Sequence, residues 1–479
     1  MTSGYVAAID LGATSGRVVV GRLDDNTVHL DVVERFMNNP VRTWEGTTDG
    51  LHWNLLELFR SILLGLRKAA IDQPDLRSIG VDSWGLDYGL LRGGALLGNP
   101  YSHRDERTAE GVRATHELVS REELFAVSGL QFMPINTVYQ LTADRLADRF
   151  QGGDTALLIP DLIGYWLSGV PVAERTNAST TGLFDVRTRE WSTELADRLG
   201  FPASLFPRLV DPGSTLGPLL PTVQAEIGAQ IPVVAVGSHD TASAVVGVPA
   251  LDDEYAYVSC GTWALAGVEL EKPVLSEAAR VANFTNESGL DGRIRFLRNI
   301  TGLWLQSESI RTWEREGHTV DLPALIGAAA ALPSGSVFDA NDARLLAPGD
   351  MPARIAQCCV EAGQPVPHTP AEFVRAINES LAEAFARAVR TAAELSGKSV
   401  RVIHIVGGGS QNALLCQLTA DRSGLPVIAG PVEATALGNV LVQARAARLV
   451  SGSLEALRAV ITRSVSLQRY EPRTDRPVS

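Results

Sequence analysis

An acid at the end of an apolar run, followed at once by small and hydroxylated residues, occurs twice in this chain. The first instance is Asp10-Leu11-Gly12-Ala13-Thr14-Ser15-Gly16-Arg17. Gly12 and Gly16 permit positive φ and close backbone approach. Successive N–H groups in such a turn form a concavity for an anion. Thr14 and Ser15 add hydroxyls, and Asp10 can hold a hydrated Mg²⁺. A plain hairpin turn has the same composition, so both readings stand. The second instance is Gly237-Ser238-His239-Asp240-Thr241-Ala242-Ser243-Ala244, which follows the apolar run from Ile231 to Val236. Such strand ends are where α/β proteins place functional groups. A carboxylate there can take a proton from a substrate hydroxyl. Asp240 can equally cap the helix that the small residues after it favour. His239 stands beside it in a supporting role.

Two other stretches carry weaker signals. Asp82-Ser83-Trp84-Gly85-Leu86-Asp87-Tyr88-Gly89 sets aromatics among carboxylates. That suits a polyol, whose C–H faces stack while its hydroxyls are bound, but it also suits a turn around a core tryptophan. Gly407-Gly408-Gly409-Ser410-Gln411-Asn412 lets a flat group lie on backbone, before a helix N-terminus that favours negative charge. It is not GxGxxG, so no dinucleotide fingerprint is present. Ser396-Gly397-Lys398-Ser399 resembles the end of a P-loop, but Ala392 stands where the first glycine belongs. A helix also precedes it and a strand follows, the reverse of the P-loop order.

The elements that must position these residues alternate between strand and helix. Val6–Asp10, Arg17–Arg22 and His29–Phe36 read as strands. Asn54 to Asp72 has apolar residues at 55, 58, 59, 62, 63, 66, 69 and 70, with Asn54 and Glu57 spaced as a capping box, and reads as a helix. Ser78–Asp82 returns to strand. From about 100 to 230 the pattern mixes short helices with loops. Tyr255–Ser259, a Cys260-Gly261-Thr262 turn and Trp263–Val268 echo the opening hairpin, which points to a duplicated fold whose second copy begins near 250. Thr369-Pro370-Ala371-Glu372 opens a long helix that Gly397 closes. The strand Val402–Val406 leads to the glycines, and a helix is predicted from about Gln411 to Asp421. The pattern implies an α/β fold in two domains, 1–248 and 249–479.

The 479 residues are too many for one core. With 45% hydrophobic and 20% charged residues the chain has the balance of a folded globular protein. The net charge of −13 argues against nucleic-acid or anionic-membrane partners, which need clustered Lys and Arg. The four cysteines have no CxxC spacing, so a zinc site is not expected and a reduced cytoplasmic setting is. No basic leader and no 18-residue apolar span is seen.

Taken together and in order, the motifs resemble the FGGY carbohydrate kinases of the actin and Hsp70-like ATPase superfamily. The matching stretches are Ala8–Arg17, Gly80–Gly85, Tyr101–Asp105, Gln131–Thr137, Thr176–Thr181, Ser238–Val245, Ser259–Trp263, Asn283–Glu287, Arg298–Ile300, His404–Gly409 and Ala429–Ala434. The resemblance implies two ribonuclease-H-like domains around a central cleft, with ATP and Mg²⁺ as cofactors. The partners are then a small sugar and ATP, in a monomer or homodimer. It implies that Ala13, Thr14, Ser15, Gly16 and Arg17 line the ATP phosphates, and that Thr262 and Gly408 are further ATP contacts. Gly85, His239, Asp240, Thr241 and Asn299 contact the sugar, and Asp240 is the proton acceptor. The Ser-His-Asp-Thr run favours the branch that phosphorylates L-rhamnulose at O1 over the Asp-Gln pattern of xylulose and glycerol kinases. L-fuculose, xylulose and ribulose remain alternatives, as does an actin-like ATPase without a sugar acceptor. Two departures stand out. Cys260 replaces the family's usual serine. The family's ATP-contacting glutamine is displaced, so that Gln306 comes one position early and Ser307 takes its place.

Overall fold

The computed structural model describes residues 3–473. The chain divides into two compact α/β units, and it crosses between them more than once. Among the described residues the first comprises 3–247, 270–296 and 434–464; the second comprises 248–269, 297–433 and 465–473. The compact units are therefore not the consecutive stretches 1–248 and 249–479.

The first unit is built on β1 (Gly4–Leu11), β2 (Ser15–Asp24), β3 (Thr27–Met37), β4 (Leu76–Ser83), β5 (Thr215–Pro218) and β6 (Pro232–Val234). Their order across the sheet is β5-β6-β4-β1-β2-β3. Val6 to Ile9 in β1 are wholly buried, the continuous apolar run of a central strand covered on both faces. The helix Leu55–Asp72 lays Leu58, Ile62 and Leu66 on that sheet. Asn54 caps it by accepting the Glu57 N–H at 3.5 Å, while Glu57 turns to Arg60 rather than closing a reciprocal box.

The second unit repeats the plan with β7 (Tyr255–Cys260), β8 (Trp263–Leu270), β9 (Ile294–Thr301), β10 (Val402–Val406), β11 (Val427–Ala429) and β12 (Gln468–Tyr470), in the order β12-β11-β10-β7-β8-β9. The strand Thr285–Ser288 lies in the segment 270–296, which belongs to the first unit. Corresponding pairs keep their sense. The β1/β2 and β7/β8 hairpins are antiparallel, β1/β4 and β7/β10 are parallel, and the outer β5 and β12 are antiparallel to β6 and β11. This six-strand correspondence is the duplication that the hairpin echo suggested. The helix Pro370–Ser396 has a full capping box at Thr369 and ends at Gly397 in the left-handed region (φ 70°). Lys398 donates to the Glu269 carbonyl at 2.9 Å, so the P-loop look-alike is a helix end. Among the described residues no helix is long and apolar enough to cross a membrane, and all four cysteines are free and buried.

Candidate active site

Three carboxylates gather at the ends of the first unit's central strands. β1 and β4 run parallel with Asp10 opposite Asp82, and the helix Asp240–Val246 starts just beyond β6. Asp10 is clamped by Arg17, its partner across the hairpin, with Nη2 at 2.6 Å and Nε at 2.9 Å from Oδ2. Asp82 is fully buried. Its Oδ2 accepts from Asn439 Nδ2 at 2.5 Å, and its Oδ1 has no partner among the described residues. Burial, reinforced by the charge of Asp10, pushes the Asp82 carboxyl well above the usual range.

Asp240 is the first helical residue, and the cap position belongs to His239. Its Oδ1 accepts the Thr241 N–H at 2.6 Å and the Thr241 hydroxyl at 3.1 Å. No hydrogen bond is made to its Oδ2 among the described residues, and the side chain is 29% exposed. Burial raises its pKa and the Asp10 charge adds to this, against the pull of the two Thr241 donors. Buried Glu174 holds this strand end in place. It accepts from the Ser238 N–H and hydroxyl, both at 2.9 Å, and from the Thr176 N–H at 2.8 Å. Thr176 in turn accepts the His239 N–H at 3.3 Å. Gly85 lies against the same place: a Cβ there would sit 3.2 Å from Thr180 Oγ1 and 3.5 Å from His239 Cδ2. The chain then turns sharply, with Leu86 at φ 78° and the Asp87 N–H bonded to the Gly85 carbonyl at 3.0 Å. A bulky residue in that region stores about 1–3 kcal/mol of strain, which collects at functional sites. Asp87 gathers Trp53, Trp84, His103 and Gln140, so this tryptophan turn is anchored by a buried carboxylate.

The β1–β2 turn spans Gly12 to Thr14, and the Gly12 N–H closes it onto the Ser15 carbonyl at 2.8 Å. The N–H groups of Ala13 and Thr14 have no acceptor among the described residues, as an anion-binding turn requires. The glycines are needed for a different reason than the sequence suggested. Neither Gly12 nor Gly16 has a positive φ. A Cβ at Gly16 would instead meet the Phe36 ring at 2.3 Å.

The other predicted contacts lie in the second unit. Thr262 sits in the β7–β8 turn, and its carbonyl accepts the Trp304 N–H at the start of the helix Trp304–Arg315. Ser307 is exposed on that helix, whereas Gln306 is buried and its Oε1 has no partner among the described residues. Asn299 lies on β9 and is half-buried. Of the three glycines, only Gly408 faces open space. A Cβ on Gly407 or Gly409 would strike Cys260, at 2.9 Å from its carbonyl oxygen and 2.3 Å from its Sγ respectively. Two of the glycines thus make room for the cysteine's strand. The helix that follows begins at Ala413, two residues later than expected, because a short 3₁₀ turn over Gly408–Gln411 intervenes.

Four residues that the sequence did not mark as site residues stand at this place: Glu174, Asn177, Glu287 and Arg295. Asn177 is wholly buried beside Gly85, and its Nδ2 has no partner among the described residues. Asn177 and Glu287 fall inside the matching stretches Thr176–Thr181 and Asn283–Glu287, which is the signal that could have found them. Glu174 and Arg295 lie outside every such stretch.

Two half-chain sequence families account for this architecture. The model described as "FGGY family of carbohydrate kinases, N-terminal domain" matches residues 5–247, and its C-terminal counterpart matches 256–447. A rhamnulokinase of Pectobacterium carotovorum is 45% identical over 98% of this chain and 93% of its own length. One from Bacteroides thetaiotaomicron is 39% identical over 97% and 95%. In fold the chain is similar to a gluconate kinase of Lactobacillus acidophilus, with TM-score 0.78 at 17% identity over 98% of this chain and 94% of that one. It is similar also to the Plasmodium falciparum glycerol kinase with ADP, with TM-score 0.76 at 16% identity over 98% and 94%. The chain belongs to the FGGY family of carbohydrate kinases, and it is a sugar phosphotransferase that uses ATP.

Proposed function

We propose that the protein phosphorylates L-rhamnulose at O1, giving L-rhamnulose 1-phosphate and ADP. The observation that carries this reading is the near-full-length identity of 39–45% to several rhamnulokinases. Asp240 supports it, with one carboxylate oxygen fully engaged and the other open. In this reading the sugar's O1 hydroxyl gives its proton to Asp240 Oδ2 as O1 attacks the γ-phosphorus in line. The bond from that phosphorus to the bridging oxygen breaks, and ADP leaves with the electron pair. Gly85, His239 and Thr241 hold the sugar, with Asn299 as a further contact. Ala13 to Arg17 receive the phosphates, and Thr262, Ser307 and Gly408 contact the nucleotide. The unpartnered Oδ1 of Asp82 next to Asp10 fits a hydrated Mg²⁺, since that ion takes only one or two carboxylates alongside phosphate oxygens. When bound, Mg²⁺ neutralises phosphate charge. We place the protein in the cytoplasm, as a monomer or homodimer.

A coupled ADP-release assay over a panel of ketoses and polyols tests the substrate. The highest kcat/KM is expected on L-rhamnulose; a higher value on L-fuculose, xylulose or ribulose would overturn that choice, and ADP release independent of any sugar would overturn the kinase reading. Asp240→Asn should cut kcat by about 10²–10⁴-fold, the usual contribution of a positioned base, and leave ATP binding intact. Turnover near that of the unaltered protein would remove Asp240 from the role.

A further inference from the structure

Behind His239 lies an ion pair that the reaction as written does not use. Arg295, near the start of β9, is wholly buried, and Glu287 in the strand Thr285–Ser288 is nearly so. Arg295 Nη1 and Glu287 Oε2 are 3.0 Å apart, and Arg295 Nε donates to the Ser288 carbonyl at 3.0 Å. Burying two charges carries a large desolvation penalty before their attraction offsets it, and apolar residues of the same volume often serve stability as well or better. The position of this pair therefore calls for a reason other than packing.

The reason lies in the imidazole. Arg295 Nη2 is 3.1 Å from His239 Nδ1, and Glu287 Oε2 is 3.3 Å from the same nitrogen. A guanidinium has donors only. Arg295 Nη2 meets Nδ1 in hydrogen-bond geometry whereas Glu287 Oε2, despite its distance, does not, so Nδ1 offers its lone pair to the guanidinium. The neutral ring then carries its proton on Nε2, the nitrogen that lies 3.6 Å from Asp240 Oδ1. Catalytic hydrogen bonds are often this long before substrate binds and tighten in the complex. Oδ1 already takes two donors from Thr241. A third donor from His239 commits that oxygen and leaves Oδ2 to receive the proton.

We propose that Arg295 and Glu287 are positioning residues that hold His239 as its neutral Nε2–H tautomer, so that the imidazole aims and steadies the Asp240 carboxylate. Arg295 sets the tautomer. Glu287 balances the buried guanidinium and holds it against the ring. The assignment rests on the reading of Asp240 as the base.

The test reads the tautomer directly. ¹⁵N–¹H correlation spectra of the full-length protein labelled at histidine, with His239→Gln to assign the signal, should show Nδ1 bare and Nε2 protonated at pH 7. Glu287→Gln, which keeps the shape, and Arg295→Met should each change that pattern. Each should also lower kcat by roughly 10²-fold, the cost of about 1 Å of misplacement, with KM for ATP unchanged. Arg295→Lys, which keeps a buried cation and donor, should recover part of the loss. Circular dichroism confirms folding, and if Arg295→Met does not fold, the isosteric Glu287→Gln decides. A protonated Nδ1 in the unaltered protein, or full kcat in Glu287→Gln, would sink the positioning role. Asp240→Asn separates this from the base assignment. Wild-type turnover there removes the base, whereas an unchanged His239 tautomer in both pair variants removes only the relay behind it.

Discussion

Asp10, Asp82 and Asp240 show how one residue type takes three electrostatic fates within one site. Asp10 is neutralised by Arg17, and Asp240 is open on one oxygen. Asp82 is fully buried without an ion pair among the described residues, and its raised pKa means that the folded state holds a proton that the unfolded chain gives up. The linkage has a definite sign. A group whose folded pKa is raised gives stability that is complete below the unfolded value near 4 and is lost as pH rises toward the folded value. At pH 7, without nucleotide or Mg²⁺, Asp82 is thus a burden on the fold. Asp82→Asn replaces it with a neutral isostere whose oxygen can still accept from Asn439 and whose amide can face Asp10. Urea melts of the ligand-free protein should show Asp82→Asn more stable by about 1–3 kcal/mol at pH 7, the cost of one unsatisfied buried polar group. The gain should shrink as pH falls to about 4. A loss of stability at pH 7 would mean that Asp82 is ionised and paired.

The helix Asp240–Val246 is held at a backbone crossing. A Cβ on Gly438, in the helix Ala434–Ala446, would stand 1.9 Å from the Ser243 carbonyl oxygen, and one on Gly247 would stand 2.3 Å from the Ala434 oxygen. Intrinsic propensity alone would make Gly→Ala favourable in a helix by roughly 0.5–1 kcal/mol. At Gly438 the clash with backbone, which cannot rotate away, should reverse that sign. Gly438→Ala should cost about 1–3 kcal/mol and lower kcat, because the displaced helix carries Asp240. Gly327 is the control: it is exposed in the helix Leu322–Ala331, and a Cβ there would have no atom within 4 Å. Gly327→Ala should stabilise by about 0.5–1 kcal/mol. Thermal melts and turnover of the two variants decide, and a stabilising Gly438→Ala would refute the crossing. The contrast also marks what was legible in the sequence. The helix Pro370–Ser396 could be read from Thr369 and Gly397, since caps are local chemistry. Asp240 could be read as a candidate from its place after an apolar strand. Gly438 reads only as a weak point in a helix, because its reason is a carbonyl nearly two hundred residues away. Arg295 carries no motif signal and Glu287 only its place in the stretch Asn283–Glu287, until the fold puts both beside His239.

At the scale of the whole molecule, the chain's route decides what can fold alone. A sequence boundary near 248 invites truncation there, and the N-terminal family model stops at 247. The first unit is not finished at that point. Residues 434–464 return to it with a ladder of buried polar groups, in which Gln443 accepts from the Ser78 hydroxyl at 2.7 Å and donates to the Ala7 carbonyl at 3.0 Å, while Asn439 donates to Asp82. Arg458 adds a bond to the Val245 carbonyl at 2.9 Å, and Ser464 accepts the Val28 N–H at 2.8 Å. Residues 270–296 supply Glu287 and Arg295. A fragment of 1–248 would leave Asp82, Ser78 and the sheet face under Val440 uncovered, and would expose Gly21 where that valine packs. Each bared polar group costs little in water, but the apolar face beside it does not regain a partner. The fragment should therefore keep far-ultraviolet helix signal, lose near-ultraviolet signal, bind ANS and unfold without a cooperative urea transition. The full chain should show tight packing by the same probes. A fragment with a sharp, single urea transition and no ANS binding would mean that the first 248 residues close their own core and that the returning segments are accessory. That outcome would also predict that Asp240 reaches its native geometry without the Gly438 crossing, which the element-scale variants measure independently.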